Sequence, residues 1–181
     1  MLDDAASYVL PPAKDIGAIL SVSRQYRYVL WRIWNGDARP DLKMLAFIGL
    51  NPSTADETED DNTIVRCVNF AKAWGYDGIY MANLWAFRAT KPKVLKEQTI
   101  KEAEGPQNPG WLTRVAEHSK AVVLAWGNDG HWRDGGRKVY KLLKGTGTPL
   151  FSLGQCAGGE PKHPLYLKKD TPCKMFEGYS E

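Results

Sequence analysis

Four short polar clusters hold the residues of this 181-residue chain whose types and spacing could do chemistry. They are Asn51-Pro52-Ser53-Thr54-Ala55-Asp56, Asn83 with Trp85, Gly127-Asn128-Asp129, and Lys162-His163-Pro164. A carboxamide or carboxylate can hold a water, a second amide can read the edge of a polar heterocycle, and a histidine can support departing negative charge. The set therefore suits hydrolysis of a bond to such a heterocycle. Ser53 does not sit inside G-x-S-x-G, so a nucleophile elbow is unsupported. Gly49-Leu50-Asn51-Pro52-Ser53 lacks the second glycine and the lysine of a phosphate loop. Cys67, Cys156 and Cys173 are far apart, with no C-x-x-C pair, so we expect free thiols and no metal centre. The acidic run Asp56, Glu57, Glu59, Asp60 and Asp61 fits no calcium-loop spacing and reads first as a solvated loop or helix start.

Each cluster follows an apolar run, and those runs are the elements that must position it. Lys43 to Leu50 is continuously apolar after its first residue, the pattern of a strand buried on both faces of a parallel sheet. Gly78 to Trp85 and Ala121 to Gly127 read as two more central strands, and Pro149 to Leu153 as a short last one. Tyr26 to Trp34 alternates and is rich in aromatics, an antiparallel lead-in strand that ends in turn residues Asn35-Gly36-Asp37. Between the strands, Asp61 to Gly75 puts Ile64, Cys67, Val68, Ala71 and Trp74 on one helical face, with an acid or amide to cap its start and Gly75 to end it. Further helices are expected at Pro109–His118 and at Gly135–Leu143, the latter with Val139, Leu142 and Leu143 inward. Alternating strands and helices predict an α/β fold, a three-layer α/β/α arrangement around a mostly parallel central sheet. In such sheets ligands bind beyond the carboxyl ends of the strands, where the polar clusters would share one rim.

Length and composition suit one globular domain over residues 1–181. No stretch reaches the ~20 apolar residues of a membrane helix, and no basic start precedes an apolar run, so the expectation is a cytoplasmic protein without a membrane partner. Charge is uneven: residues 1–62 hold 6 basic and 10 acidic residues, while residues 131–181 hold 9 and 5, which makes the C-terminal end the candidate phosphate-facing surface.

Taken in order, the clusters resemble the uracil-DNA glycosylase superfamily. Phe47-Ile48-Gly49-Leu50-Asn51-Pro52-Ser53 looks like the first motif of its mismatch-specific branch, a strand followed by G-x-N-P. Met81-Ala82-Asn83-Leu84 through Arg88-Ala89-Thr90-Lys91-Pro92 is similar to the middle segment, Val122 to Asn128 to the strand ending in Trp-Gly, and His163-Pro164-Leu165-Tyr166-Leu167 to the final His-Pro loop. The resemblance spans residues 44–167. A narrower one, to a bacterial and phage family of poorly characterised domains, rests on Arg27 to Arg32, Gly49 to Asp56 and His163 to Leu167.

The resemblance implies a uracil-DNA-glycosylase-like fold and a cofactor-free, monofunctional DNA glycosylase. Asn51 would place the attacking water, His163 would stabilise the departing base anion, and Asp56 would be a second catalytic or recognition group. Asn83, with Trp85 and Ser53, would bind the base. The partner would be DNA, a duplex with a flipped base. Tyr166 or Leu167 would fill the space the base leaves, and Lys162, Lys168 and Lys169 would hold phosphates. Two departures matter: no serine follows His163-Pro164, and acids follow the first motif where an aromatic pocket wall is common. They turn the expected substrate away from uracil toward a modified or damaged base, including a hypermodified phage base removed in antiviral defence. The alternatives are an N-glycosidase or transferase acting on free nucleosides or nucleotides, and a non-catalytic module that binds modified bases.

Overall fold

A computed structural model describes residue 10, residues 15–36 and residues 41–179. Seven strands form one sheet: β1 (Ile16–Leu20), β2 (Arg27–Ile33), β3 (Met44–Gly49), β4 (Gly78–Asn83), β5 (Ala121–Leu124), β6 (Leu150–Ser152) and β7 (Lys174–Met175), in the order β1-β2-β4-β3-β5-β6-β7. The centre, β4-β3-β5-β6, is parallel, whereas β1 with β2, β2 with β4 and β6 with β7 are antiparallel. The sheet is thus evenly mixed, not mostly parallel as expected. The cause is the connections. Parallel neighbours need a crossover, which the helices at Asn62–Ala73, Asn108–Glu117 and Gly135–Lys144 supply, while β1 and β2 are joined by a tight turn at residues 21–26 that leaves only the antiparallel pairing open.

Helices cover both faces because the central strands are apolar on both. Leu45 and Phe47 of β3 join one buried cluster with Ile64, Cys67, Phe70 and Ala71 of α1 (Asn62–Ala73). Met44, Ala46 and Ile48 join the other, with Leu112 and Val115 of α4 (Asn108–Glu117) and Val139 and Leu143 of α5 (Gly135–Lys144). Val68 and Trp74 pack on the first cluster from its edge. Leu142, expected inward, is instead exposed, because Val139 and Leu143 already fill the narrow inward stripe of this short helix.

The start of α1 bears on the site. Asp61 caps it, its Oδ1 accepting from the amides of Thr63 and Ile64 at 3.0 Å each. Its end is a Schellman motif: Gly75, at φ +76°, donates to Lys72 O, and Tyr76 donates to Ala71 O. Two short helices, α2 (Pro92–Lys96) and α3 (Ile100–Glu104), bridge β4 to α4, the second opened by a capping box between Thr99 and Glu102. Of the expected turn at Asn35-Gly36-Asp37, Asp37 lies outside the described residues. No helix among the described residues is long and apolar enough to cross a membrane.

Candidate active site

A cleft of about 480 Å³ opens beyond the carboxyl ends of β3, β4 and β5, and all four polar clusters contribute to it: Asn51 and Ser53, Asn83, Gly127 to Asp129, and His163 with Leu165 and Tyr166. It lies on the α1 side of the sheet. Phe47 and Met81 belong to the α1-side cluster, and Gly49 and Asn83, two residues further along each strand, share that face and floor the cleft.

Asn83 is the most telling floor residue. It is 1% exposed, and neither Nδ2 nor Oδ1 has a hydrogen-bond partner. A buried amide without partners costs about 1–3 kcal/mol, and this one keeps a free donor and a free acceptor at the cleft floor. Gly49 makes its position possible. A Cβ there would stand 2.9 Å from Asn83 Oδ1 and 2.7 Å from Met81 Cε. Asn108 fixes the strand end from below, its Nδ2 donating to the carbonyls of Asn83 at 3.1 Å and Leu84 at 3.0 Å.

Asn51 is held in one orientation. Its Nδ2 donates to Pro52 O at 3.1 Å and Ala89 O at 2.8 Å, and carbonyls accept only, so the amide nitrogen must face them and Oδ1 is left to accept from a water. The loop that supplies Ala89 is itself tied back, Ala89 N donating to Pro52 O at 3.0 Å.

His163 precedes a 3₁₀ turn at Pro164–Tyr166, and its Nδ1 accepts from the Leu165 amide at 3.3 Å. That bond fixes the tautomer: with Nδ1 an acceptor, the proton of the neutral ring is on Nε2, which becomes a donor. Burial pushes the pKa of His163 below its ordinary value, opposed by the field of Asp61, so the ring is neutral at pH 7. Gly127, at φ +73°, lets the chain turn tightly against His163, since a Cβ there would lie 3.3 Å from His163 Cβ.

Residues 27–165 match the family described as "Protein of unknown function (DUF1643)". The chain belongs to the DUF1643 family. No curated protein and no solved structure matches it. The DUF1643 match runs from Arg27 to Leu165, both cleft residues, and takes in the whole lining except Tyr166.

Within this DUF1643 fold the remaining expected site residues divide. Tyr166 stands 90% exposed at the rim. Leu167 packs on the α1-side cluster and its carbonyl accepts from Arg66, so of the two wedge candidates only Tyr166 projects. Lys162, Lys168 and Lys169 are exposed and outside the cleft, Lys169 bordering a separate groove beside α1. Trp85 is 3% exposed and packs edge-on against Trp132 on the opposite side of the sheet. Alternation would have kept it with Asn83 had β4 continued, but the strand ends at Asn83.

Asp56 does not line the cleft either. Its Oδ1 accepts from the amides of Thr58 and Glu59 at 3.0 Å each, and these bonds hold its pKa below the ordinary carboxylate value. The acidic loop is strapped down by arginines of the β1–β2 hairpin. Arg24 pairs with Glu57 at 2.6 Å, pulling that carboxyl down to about 2, and Arg32 reaches Asp60 at 2.8 Å and Asp56 O at 2.9 Å. Two carboxylates do line the cleft: Asp129, and Asp61, which sequence reasoning left in the acidic run. Arg27 was also missed as a site residue. It is 2% exposed, with Nη1 donating to Ala55 O at 2.6 Å. A charged residue opening a strand that is buried along most of its length was the available clue. Among the described residues, no three His, Cys, Asp or Glu side chains converge as metal ligands.

Proposed function

We propose that this chain is a monofunctional DNA glycosylase, a hydrolase that draws a modified base out of DNA into the cleft and cuts its N-glycosidic bond. The observation that carries the reading is Asn83. Its buried, unpartnered donor and acceptor complement the N–H and C=O edge of a flipped base, and they lie in one cleft with Asn51 and His163. In this mechanism a water held by Asn51 Oδ1 attacks the sugar C1′, and the electron pair of the C1′–N bond leaves on the base. The neutral His163 donates from Nε2 to the oxygen where that charge gathers. The proton lost by the water ends on the freed base, leaving an abasic sugar. No lysine stands in Gly49 to Ser53 to form a Schiff base, in keeping with simple hydrolysis. Tyr166, exposed at the rim, is suited to occupy the gap in the stack.

The fold supports the resemblance to the uracil-DNA glycosylase superfamily in one respect: the motif residues Asn51, Asn83 and His163 meet across a parallel sheet centre. A second reading, an N-glycosidase or transferase acting on free nucleosides or nucleotides in the cytoplasm, is favoured by the position of Lys168 and Lys169 away from the cleft. Incubating the purified protein with genomic DNAs that carry different natural base modifications, with mass spectrometry of released bases, tests both. Release of a base from polymeric DNA, abolished by Asn51→Ala with His163→Ala, is the expected result. Activity that survives the double substitution, or release from free nucleotides alone, overturns the DNA reading.

A further inference from the structure

Arg27 brings a positive charge to the inner end of the cleft, and the structure gives that charge little to do. Its neighbour Arg32 pairs with Asp60 at 2.8 Å and bonds several carbonyls. Among the described residues no carboxylate comes within 4.0 Å of Arg27. One of its donors reaches Ala55 O, and Nε is buried without a partner. Asp61 acts on it only through its field, and that carboxylate already accepts from Thr63 and Ile64. Burial, joined by the like charges of Arg88 and Arg32, drives the guanidinium down to about 10 against the opposing fields of Asp61 and Asp56.

A buried cation without a counter-ion destabilises the fold unless something else neutralises it. Arg27 belongs to β2, which pairs with β4, and it lines the same cleft as Asn83 at the end of β4. A guanidinium is also the side chain best matched to a planar or tetrahedral oxyanion, since its parallel N–H groups take two oxygens at once.

We infer that Arg27 is a specificity-determining residue that selects a ligand carrying an oxyanion beside the amide edge read by Asn83. The oxyanion is either a carboxylate on the base or a phosphate of the nucleotide. The inference rests on the base-reading role of Asn83 proposed above and adds the substrate class: acidic ligands over their neutral parents. A cleft of about 480 Å³ has room for such a group.

Calorimetric titration of the intact protein with two pairs of probes tests it and separates the sources: uracil against 5-carboxyuracil, and uridine against uridine 5′-monophosphate. We expect the acidic member of one pair to bind at least about 10-fold tighter than its neutral partner, as a charge-assisted bidentate contact allows. The pair that discriminates names the source. Arg27→Met removes the preference while leaving the neutral probe bound, and Arg27→Lys keeps part of it; thermal melts of both confirm that they fold. The wild-type ratios stand whether or not the variants fold. Equal binding within both pairs, or a preference that persists in a folded Arg27→Met, overturns the role of Arg27 and leaves the base-reading role of Asn83 intact. Failure of every probe to bind overturns both.

Discussion

Alanine at Gly49 tests the geometry of the cleft floor with one methyl group. The added Cβ would stand 2.9 Å from Asn83 Oδ1 and 2.7 Å from Met81 Cε, where ordinary contact begins at 3.4 Å. Met81 presents the end of a flexible thioether and can swing aside. Asn83 has a short side chain on a strand end clamped by Asn108, so its amide must retreat by about 0.5 Å or rotate. A misplacement of this order in a positioning group costs up to ~100-fold in rate, and overpacking costs about 1–2 kcal/mol of stability. In a chain of this length that is roughly 2–8 °C in Tm. Steady-state base release should therefore fall about 10- to 100-fold in kcat/KM, with a cooperative melt preserved. Adding Met81→Leu relieves only the Met81 contact and should restore stability without restoring activity. Wild-type kcat/KM in Gly49→Ala, or full recovery in the double variant, would refute the placement of Asn83 as the group that reads the ligand.

Asn83→Leu replaces an unpartnered buried amide with an apolar side chain of similar size, and should raise stability by about 1–2 kcal/mol in denaturant titration while abolishing ligand binding; a loss of stability would mean that the amide is paired. His163 gives a pH signature, because its folded pKa lies below its unfolded value of 6.5. The unfolded chain then takes up the proton first, so the contribution of this residue is present above pH 6.5 and is lost as pH falls through the lower folded pKa. Melts of wild type should drop more steeply below pH 6.5 than those of His163→Asn, and parallel curves would contradict the buried neutral ring. Asp56→Ala removes the acceptor that organises residues 56–59 and should lower Tm without removing base release, whereas loss of turnover in a folded variant would return Asp56 to the chemistry.

The elements that place the site were legible because periodicity reports burial. The runs at Met44–Gly49, Gly78–Asn83 and Ala121–Leu124 are apolar on both faces, which only a covered parallel sheet explains, and α1 showed its inward face and both caps. What stayed hidden depends on relations between elements. Tyr26–Trp34 reads correctly as an antiparallel strand, but nothing local to it names β4 as a partner, and nothing near Trp85 says that β4 ends two residues earlier. The helices α2 and α3 are too short for a periodic pattern, although Thr99 and Glu102 spell the capping box. Asp56 and Asp61 look alike in an acidic run. They are told apart by which carboxylate caps the helix whose first turn lines the cleft, a fact of tertiary placement. Asn51, Asn83 and His163 were visible because each follows an apolar run or a proline-marked loop, while Arg27 was concealed inside a strand.

The hydrogen bonds around the cleft also explain why its polar groups can stay unpaired without the site collapsing. The backbone beneath each is separately secured: Asn108 ties the end of β4, the Pro52 and Ala89 carbonyls hold Asn51, and the Leu165 amide orients His163. Outside the cleft two hairpin arginines, Arg24 and Arg32, fasten the acidic loop through Glu57 and Asp60 and so engage two of its carboxylates away from Arg27. The unsatisfied groups, Asn83 Nδ2 and Oδ1 and Arg27 Nε, therefore belong to two residues that line one cleft. A ligand that satisfies both residues must bring an acceptor and a donor on one edge and an oxyanion beside it, which water or a bare phosphate does not do at once. In this way rigidity set by neighbouring bonds becomes selectivity at the groups those neighbours leave free.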